Sequence, residues 1–210
     1  ERAVAPGLRD RAACATAVAP NAADTVPDRV RVALLATPFV AGTLAAGALT
    51  ALLVATLVAR GHGIERAAWV LACFGLLQLP GRIWLARGRG AAAPSALVVV
   101  PGLLEAAGLA VFAFAQTLPG AFAGVALFAL GAGMHTLARP WLVPALFGVA
   151  ASGRVNGSIA RAQGYARAAA PFAGAAAIDA WGAPSAFVAL AALLLLALPF
   201  GRAGLAGARA

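Results

Sequence analysis

The fold is decided by one uncharged stretch, residues 32–59, which reads VALLATPFVAGTLAAGALTALLVATLVA. An α-helix needs about 20 apolar residues to cross a hydrocarbon layer roughly 30 Å thick, and this stretch exceeds that length. Five further apolar blocks follow, at about 67–86, 95–115, 121–138, 157–180 and 185–200. The pattern predicts an all-α polytopic membrane protein, a bundle of six transmembrane helices over residues 32–200.

The composition supports the same fold class. Hydrophobic residues make up 62% of the chain, charged residues only 11%, and the mean hydropathy is +0.89. A single soluble domain with a polar surface does not have such a composition. The 16 basic residues are all arginines, against seven acidic residues. Thirteen of these arginines lie outside the apolar blocks, so they indicate membrane topology rather than binding to nucleic acid.

The arginines also predict the orientation. One set of alternate loops, together with the two ends of the chain, is rich in arginine, whereas the other set holds only Arg60 and Arg66. Positively charged loops stay on the cytoplasmic side. We therefore expect a multi-pass protein of the cell (inner) membrane with both termini in the cytoplasm. Residues 1–31 would form a polar leader and residues 201–210 a cytoplasmic tail.

Little in the sequence favours catalysis. Cys14 and Cys73 form no disulfide framework and have no neighbours at metal-ligand spacing. The chain lacks a His-Glu-x-x-His motif, a Gly-x-Ser-x-Gly motif and paired aspartates. We expect no enzymatic activity, no metal and no cofactor, and an intramembrane enzyme is the least favoured function. A non-transporting six-helix membrane module remains an alternative to transport.

Two groups of residues carry a family resemblance. The first is Leu79-Pro80-Gly81-Arg82 followed by Arg87-Gly88-Arg89, and the second runs from Leu146-Phe147-Gly148 through Gly153-Arg154-Val155-Asn156-Gly157 to Ala170-Pro171-Phe172-Ala173-Gly174. In order and spacing they resemble the C-terminal half of the major facilitator superfamily. The first group is similar to that family's cytoplasmic-loop motif, here Gly81, Arg82, Arg87 and Arg89, although its usual aspartate is absent.

This resemblance implies half of a twelve-helix fold and a function as a secondary active transporter. Such a protein moves a small solute by alternating access, with proton coupling as one option. The leader would then be the loop between the two halves. The partner would be a missing N-terminal six-helix half or a second copy of this chain.

Arg167 is the first candidate for the translocation pathway. A guanidinium well inside an apolar span is costly in hydrocarbon and normally faces a cavity or a partner. Gln163 lies one helical turn away on the same face. Contact with the solute, a structural pairing with Glu105 or with carbonyls, and snorkelling to the interface all remain open for Arg167. Together with His135, Arg167 favours a solute with an anionic group.

Glu105 is the one acidic residue deep within a predicted span. A carboxyl group at that depth can take up and release a proton, so Glu105 is a candidate proton site or ion-pair member. The resemblance implies that the third helix packs outside the cavity. That position favours a structural ion pair.

Four further polar residues lie on faces that could border a water-filled path. His135 shares a helix face with Arg139, for which we expect contact with cytoplasmic headgroups instead. Thr43 and Thr50 lie on one face of the first span and Gln78 on the second. Small polar side chains of this kind often bond a preceding backbone carbonyl, so both interpretations stay open.

Overall fold

The computed structural model describes residues 28–87 and 93–206, and these residues form helices without any strand. The helices are α1 (Arg29–Ala59), α2 (Ile64–Leu77), α3 (Leu79–Arg87), α4 (Ala96–Phe114), α5 (Leu118–Trp181) and α6 (Ala183–Ala206). Asp28 caps α1, since its carboxylate accepts a hydrogen bond of 2.9 Å from the backbone N–H of Val30. The predicted all-α architecture is therefore confirmed.

Five helices in the described ranges are long and apolar enough to cross a membrane, when α2 and α3 are taken together. One of the five is α5, with 64 residues. Its backbone leaves the helical conformation at Gly148, where φ is 76° and ψ is 161°. Gly148 thus divides α5 into two segments, α5a (118–147) and α5b (149–181).

Helix boundaries differ from the predicted spans mainly around this break. We expected the fourth span to end near Ala138 with a break at Arg139 and Pro140, followed by an interfacial helical turn from Trp141 to Phe147 and a loop to Asn156. Instead α5a continues to residue 147 and α5b begins at 149. A proline removes one backbone hydrogen bond, and an apolar surrounding favours keeping all the others. The last helix, α6, likewise extends into the predicted tail.

Several predictions fall outside the described residues. They concern the leader up to residue 27, Arg89 of the loop motif, and the last four residues of the predicted tail. Gly81, Arg82 and Arg87 of the motif are described, and all three are helical residues of α3.

Two clusters of buried apolar side chains fill the bundle. One includes Leu53, Phe112 and Phe187, and the rings of Phe112 and Phe187 meet edge to face at 4.9 Å. The other includes Leu35 and Met134. The outer surface is also apolar: Trp69, Phe172 and Leu196 are more than half exposed. An exterior of this kind suits a lipid environment.

Candidate binding cavity

A cavity of about 420 Å³ lies among α1, α2, both segments of α5 and the middle of α4. Among the described residues, α6 contributes nothing to its lining. The lining includes every residue predicted for the pathway together with the predicted ion-pair residue, namely Thr43, Thr50, Gln78, Glu105, His135, Gln163 and Arg167. Glu105 lies near the midpoint of α4 and Arg167 near the midpoint of α5b. The cavity is therefore about halfway along the helices.

Glu105 and His135 form a buried pair at this cavity. The distance between Glu105 Oε1 and His135 Nδ1 is 2.8 Å, and the two residues are 1% and 8% exposed. The ring of Phe39 packs against the imidazole with a centroid distance of 5.2 Å. The partner of Glu105 is thus His135, on α5a, rather than Arg167.

Two glycines make room for the glutamate. A Cβ at Gly131 of α5a would lie 3.0 Å from Glu105 Cγ and 2.6 Å from the backbone oxygen of Pro101. A Cβ at Gly42 of α1 would lie 2.9 Å from Glu105 Oε2. Because both positions lack a side chain, the carboxylate of α4 reaches a cavity lined by other helices. The resemblance implies that this helix, α4, packs outside the cavity. Glu105 nevertheless lines it.

The pair leaves two polar atoms without a partner. Glu105 Oε2 and His135 Nε2 are both buried and make no hydrogen bond within the described part of the chain. Leaving a buried polar atom unsatisfied is costly, so these two atoms call for a partner such as a water, an ion or another bound molecule. Both residues belong to the cavity lining.

Gln163 ties three helical segments together. Its Nε2 donates to the hydroxyl of Thr43 at 2.9 Å and to the backbone oxygen of Phe39 at 3.2 Å. Its Oε1 accepts a hydrogen bond from Nη1 of Arg139. Thr43 also donates to the Phe39 oxygen at 2.8 Å, so it bonds both a preceding carbonyl and a cavity residue. Contact between α5b and α1 thus depends on polar side chains.

The position of Arg139 differs from our expectation. We placed it among lipid headgroups, because Pro140 follows it directly. In the structure it lines the cavity and donates to Gln163. It lies one turn after His135 on a helix that does not stop at the proline, so both side chains face the same way.

Arg167 is exposed and lines the cavity one turn beyond Gln163. The one ion pair within residues 28–87 and 93–206 joins Glu105 and His135. Neither Arg139 nor Arg167 therefore has a carboxylate oxygen within 4 Å in these ranges. The cavity therefore holds two guanidinium groups and one carboxylate. Thr50, also on the lining, donates to the backbone oxygen of Ala46 at 2.8 Å.

Gln78 links the cavity to the arginine-rich motif. Its Oε1 accepts a hydrogen bond of 2.9 Å from Nη2 of Arg82. Gly81 packs directly on α5a, where a Cβ would overlap the backbone oxygen of Leu130. The motif thus contributes a close helix contact and a polar link, with Arg87 exposed at the end of α3.

Arg60 has a role that sequence reasoning missed. Its guanidinium donates to the backbone oxygens of Phe112, Ala113 and Ala115 at 2.8 to 3.0 Å, at the C-terminal end of α4. The last carbonyls of a helix lack the donor four residues on, although Phe112 also accepts a bond of 3.4 Å from the Ala115 N–H, and a cation there complements the helix dipole. Partial burial lowers the pKa of the Arg60 guanidinium. The only sequence signal is an arginine directly after an apolar span.

Within the described residues, no group of three or more His, Cys, Asp or Glu side chains could hold a metal ion. No known family model and no curated protein matches the sequence.

Proposed function

We propose that the chain is the C-terminal six-helix half of a secondary active transporter of the major facilitator type. In this proposal α5a and α5b cross the membrane separately, which gives six spans with α1, α2 plus α3, α4 and α6. Both termini lie in the cytoplasm, and the protein belongs to the cell membrane.

The observation that carries the proposal is a polar cavity halfway along an otherwise apolar bundle. Arg139, Gln163 and Arg167 all line it, together with the buried pair of Glu105 and His135. Charged groups at membrane depth are costly unless they serve a cavity or a partner, and transporters hold their solutes near the bilayer midplane. A module that used polar groups only to fix helix register would not need to place them around a cavity.

The cavity also favours a second bundle. Arg167 and Thr136 line it and yet are exposed. An upstream six-helix half, or a second copy of the chain, would cover these side chains. Rocking of the two bundles around the cavity would then give alternating access.

Proton coupling is an option that the same cavity supports. The carboxylate of Glu105 and the imidazole of His135 are 2.8 Å apart, and both groups can exchange protons. A proton on this pair would change the charge next to the solute.

The test is solute flux in vesicles. The protein with its second bundle is reconstituted into liposomes, and uptake of radiolabelled small organic acids, sugars and amines is measured for the wild type. The same assay is run on Arg167→Ala and on Arg161→Ala, an exposed arginine on the same helical segment outside the cavity lining. We expect uptake in the wild type and in Arg161→Ala, and a loss of about tenfold or more in Arg167→Ala.

Two outcomes would contradict the proposal. Absence of uptake for all solute classes, with correctly inserted protein, would favour the non-transporting membrane module. Equal uptake by the wild type and Arg167→Ala would remove Arg167 from the mechanism.

A further inference from the structure

We infer the chemical class of the solute: a small organic molecule that carries an anionic group and, about one helical turn away, an N–H or O–H donor. This inference rests on the proposed function, because it takes the cavity as the solute site. It depends on two sets of atoms that the described residues leave without partners.

The first set forms the cationic end of the cavity. Arg139 uses Nη1 for its bond to Gln163, and its guanidinium keeps further N–H donors. Arg167, one turn from Gln163, has no carboxylate within 4 Å in the described ranges, and neither has Arg139. Guanidinium groups bind carboxylates and phosphates through parallel hydrogen bonds. An anionic group of the solute would supply the acceptor that these guanidinium groups lack.

The second set forms the acceptor end. Glu105 is 1% exposed, and its Oε2 has no hydrogen-bond donor among the described residues. The other oxygen, Oε1, is already paired with His135. A carboxylate oxygen can only accept a hydrogen bond while the group is ionised. Its partner must therefore supply an N–H or O–H group.

The two ends lie close enough for one small molecule. Gln163, which holds Arg139, bonds the backbone oxygen of Phe39 and the hydroxyl of Thr43 on α1. Glu105 Oε2 lies next to Gly42, within the same turn of α1. One turn of helix rises about 5.4 Å. A solute of a few carbon atoms spans that distance, and the cavity of about 420 Å³ admits it.

The balance of charge argues against other classes. Two guanidinium groups and a single carboxylate lie at the cavity, so positive charge is in excess there. A cationic solute would be repelled, and a neutral one would leave both guanidinium groups without an anion in a partly desolvated site.

The test is solute binding to the full chain in lipid nanodiscs, measured by isothermal titration calorimetry. The probes are 4-hydroxybutyrate, which has both groups, butyrate, which lacks the donor, and 1,4-butanediol, which lacks the charge. We expect affinity to fall in that order. The loss should be about tenfold to a hundredfold from 4-hydroxybutyrate to the diol, because charged hydrogen bonds are lost.

Variants test which residues form the cationic end and the acceptor end of the cavity. Arg139→Ala and Arg167→Ala should each weaken 4-hydroxybutyrate binding about tenfold or more, whereas the control Arg161→Ala should not. Arg167→Lys keeps the charge without the planar geometry and should lose less. Glu105→Gln replaces the free acceptor by an amide that still bonds His135. It should remove the preference for 4-hydroxybutyrate over butyrate, because butyrate has no donor for this position.

The inference is overturned if the diol binds as well as 4-hydroxybutyrate, if butyrate binds equally well in the wild type, or if none of the probes binds. It is also overturned if the arginine variants change only association with the second bundle, measured by size-exclusion chromatography. Flux separates the two proposals. Uptake of sugars or amines alone would support the proposed function and contradict the inferred solute class. Binding of the probes without any flux would support the solute class and contradict transport.

Discussion

At the scale of single residues, the buried pair of Glu105 and His135 shows how a charged side chain is accommodated in an apolar bundle. A lone carboxylate buried there would be strongly unfavourable, and a hydrogen-bonded partner offsets part of that cost. The imidazole supplies that partner at 2.8 Å. The other oxygen has no donor among residues 28–87 and 93–206, so the pair is not fully satisfied by them.

Removing the carboxylate should therefore destabilise the bundle. We expect Glu105→Ala to lower the free energy of unfolding by about 1.5 to 3 kcal/mol, since the buried imidazole loses its partner and a cavity remains. Glu105→Gln keeps an acceptor for the imidazole, so its loss should be smaller. Thermal unfolding in detergent measures both variants. Equal stability of Glu105→Ala and the wild type would mean that the pair does not hold α4 against α5a.

At the scale of the elements, Gly148 decides whether α5 is one helix or two. Its φ of 76° with a ψ of 161° is a conformation that residues with a side chain rarely adopt. In the described part of the chain, apart from the adjoining backbone, no atom would lie within 4 Å of a Cβ at this position. The need for glycine is therefore one of backbone conformation and not of space.

Gly148→Ala tests this conformational argument. We expect a loss of about 1 to 3 kcal/mol in the free energy of unfolding, from backbone strain alone. The control is Gly153→Ala in α5b, where the backbone is helical and a Cβ also meets nothing within 4 Å. That change should be neutral or slightly stabilising, by about 0.5 to 1 kcal/mol. Urea unfolding in mild detergent compares the two, and equal effects would mean that the break at Gly148 is not a fixed feature.

The contact between α4 and α5a gives a second prediction for the elements. A Cβ at Gly108 would lie 2.7 Å from the backbone oxygen of Gly124, and one at Gly124 would lie 2.7 Å from the backbone nitrogen of Phe112. Backbone atoms cannot move aside as a side chain can. Gly108→Ala and Gly124→Ala should each cost about 1 to 3 kcal/mol of stability.

Gly75→Ala is the matched control, because Gly75 lies in a helix and a Cβ there would meet nothing within 4 Å. Thermal unfolding of the three variants is the measurement. A destabilisation by Gly75→Ala as large as the other two would assign the effect to the loss of glycine itself and not to the helix contact.

The positions of the helices follow from the sequence more closely than their ends do. Apolar length is sufficient to locate the helices, because crossing hydrocarbon requires it. Proline is a weaker guide: Pro140 predicts an end to the helix, yet α5a continues past it. The glycine at 148 is one of 24 in the chain, and local sequence does not say which glycine takes a positive φ.

The residues that line the cavity could be predicted from the sequence, but the hydrogen bonds between them could not. A polar residue in an apolar span is costly, so Gln163, His135 and Arg167 could be identified one by one. Their partners are distant in sequence: Gln163 bonds Thr43 across 120 residues and His135 bonds Glu105 across 30. Such pairings depend on which helices are neighbours. Arg139 was misplaced for the same reason, since its position follows from how far α5a continues.

At the scale of the whole molecule, the outer surface is apolar where the surface of a soluble protein is polar. Large apolar side chains such as Trp69, Phe172 and Leu196 are exposed on the outside, and the charged groups Glu105 and Arg139 lie at an inner cavity. This arrangement is favourable only when the outside faces hydrocarbon. The number of membrane crossings then depends on whether α5, the 64-residue helix, crosses the bilayer once or twice.

Cysteine labelling decides that number. In a background without Cys14 and Cys73, single cysteines replace His62, Arg87, Arg154 or Gly182, and a membrane-impermeant maleimide is applied to intact cells. Six crossings put Arg87 and Arg154 on the inner side and His62 and Gly182 on the outer side, so only the last two should react. The positive-inside rule gives the same arrangement, because arginine-rich connections stay in the cytoplasm. Reaction at Arg154 from outside, or reaction at Gly182 only after cell lysis, would mean that α5 does not cross the bilayer twice.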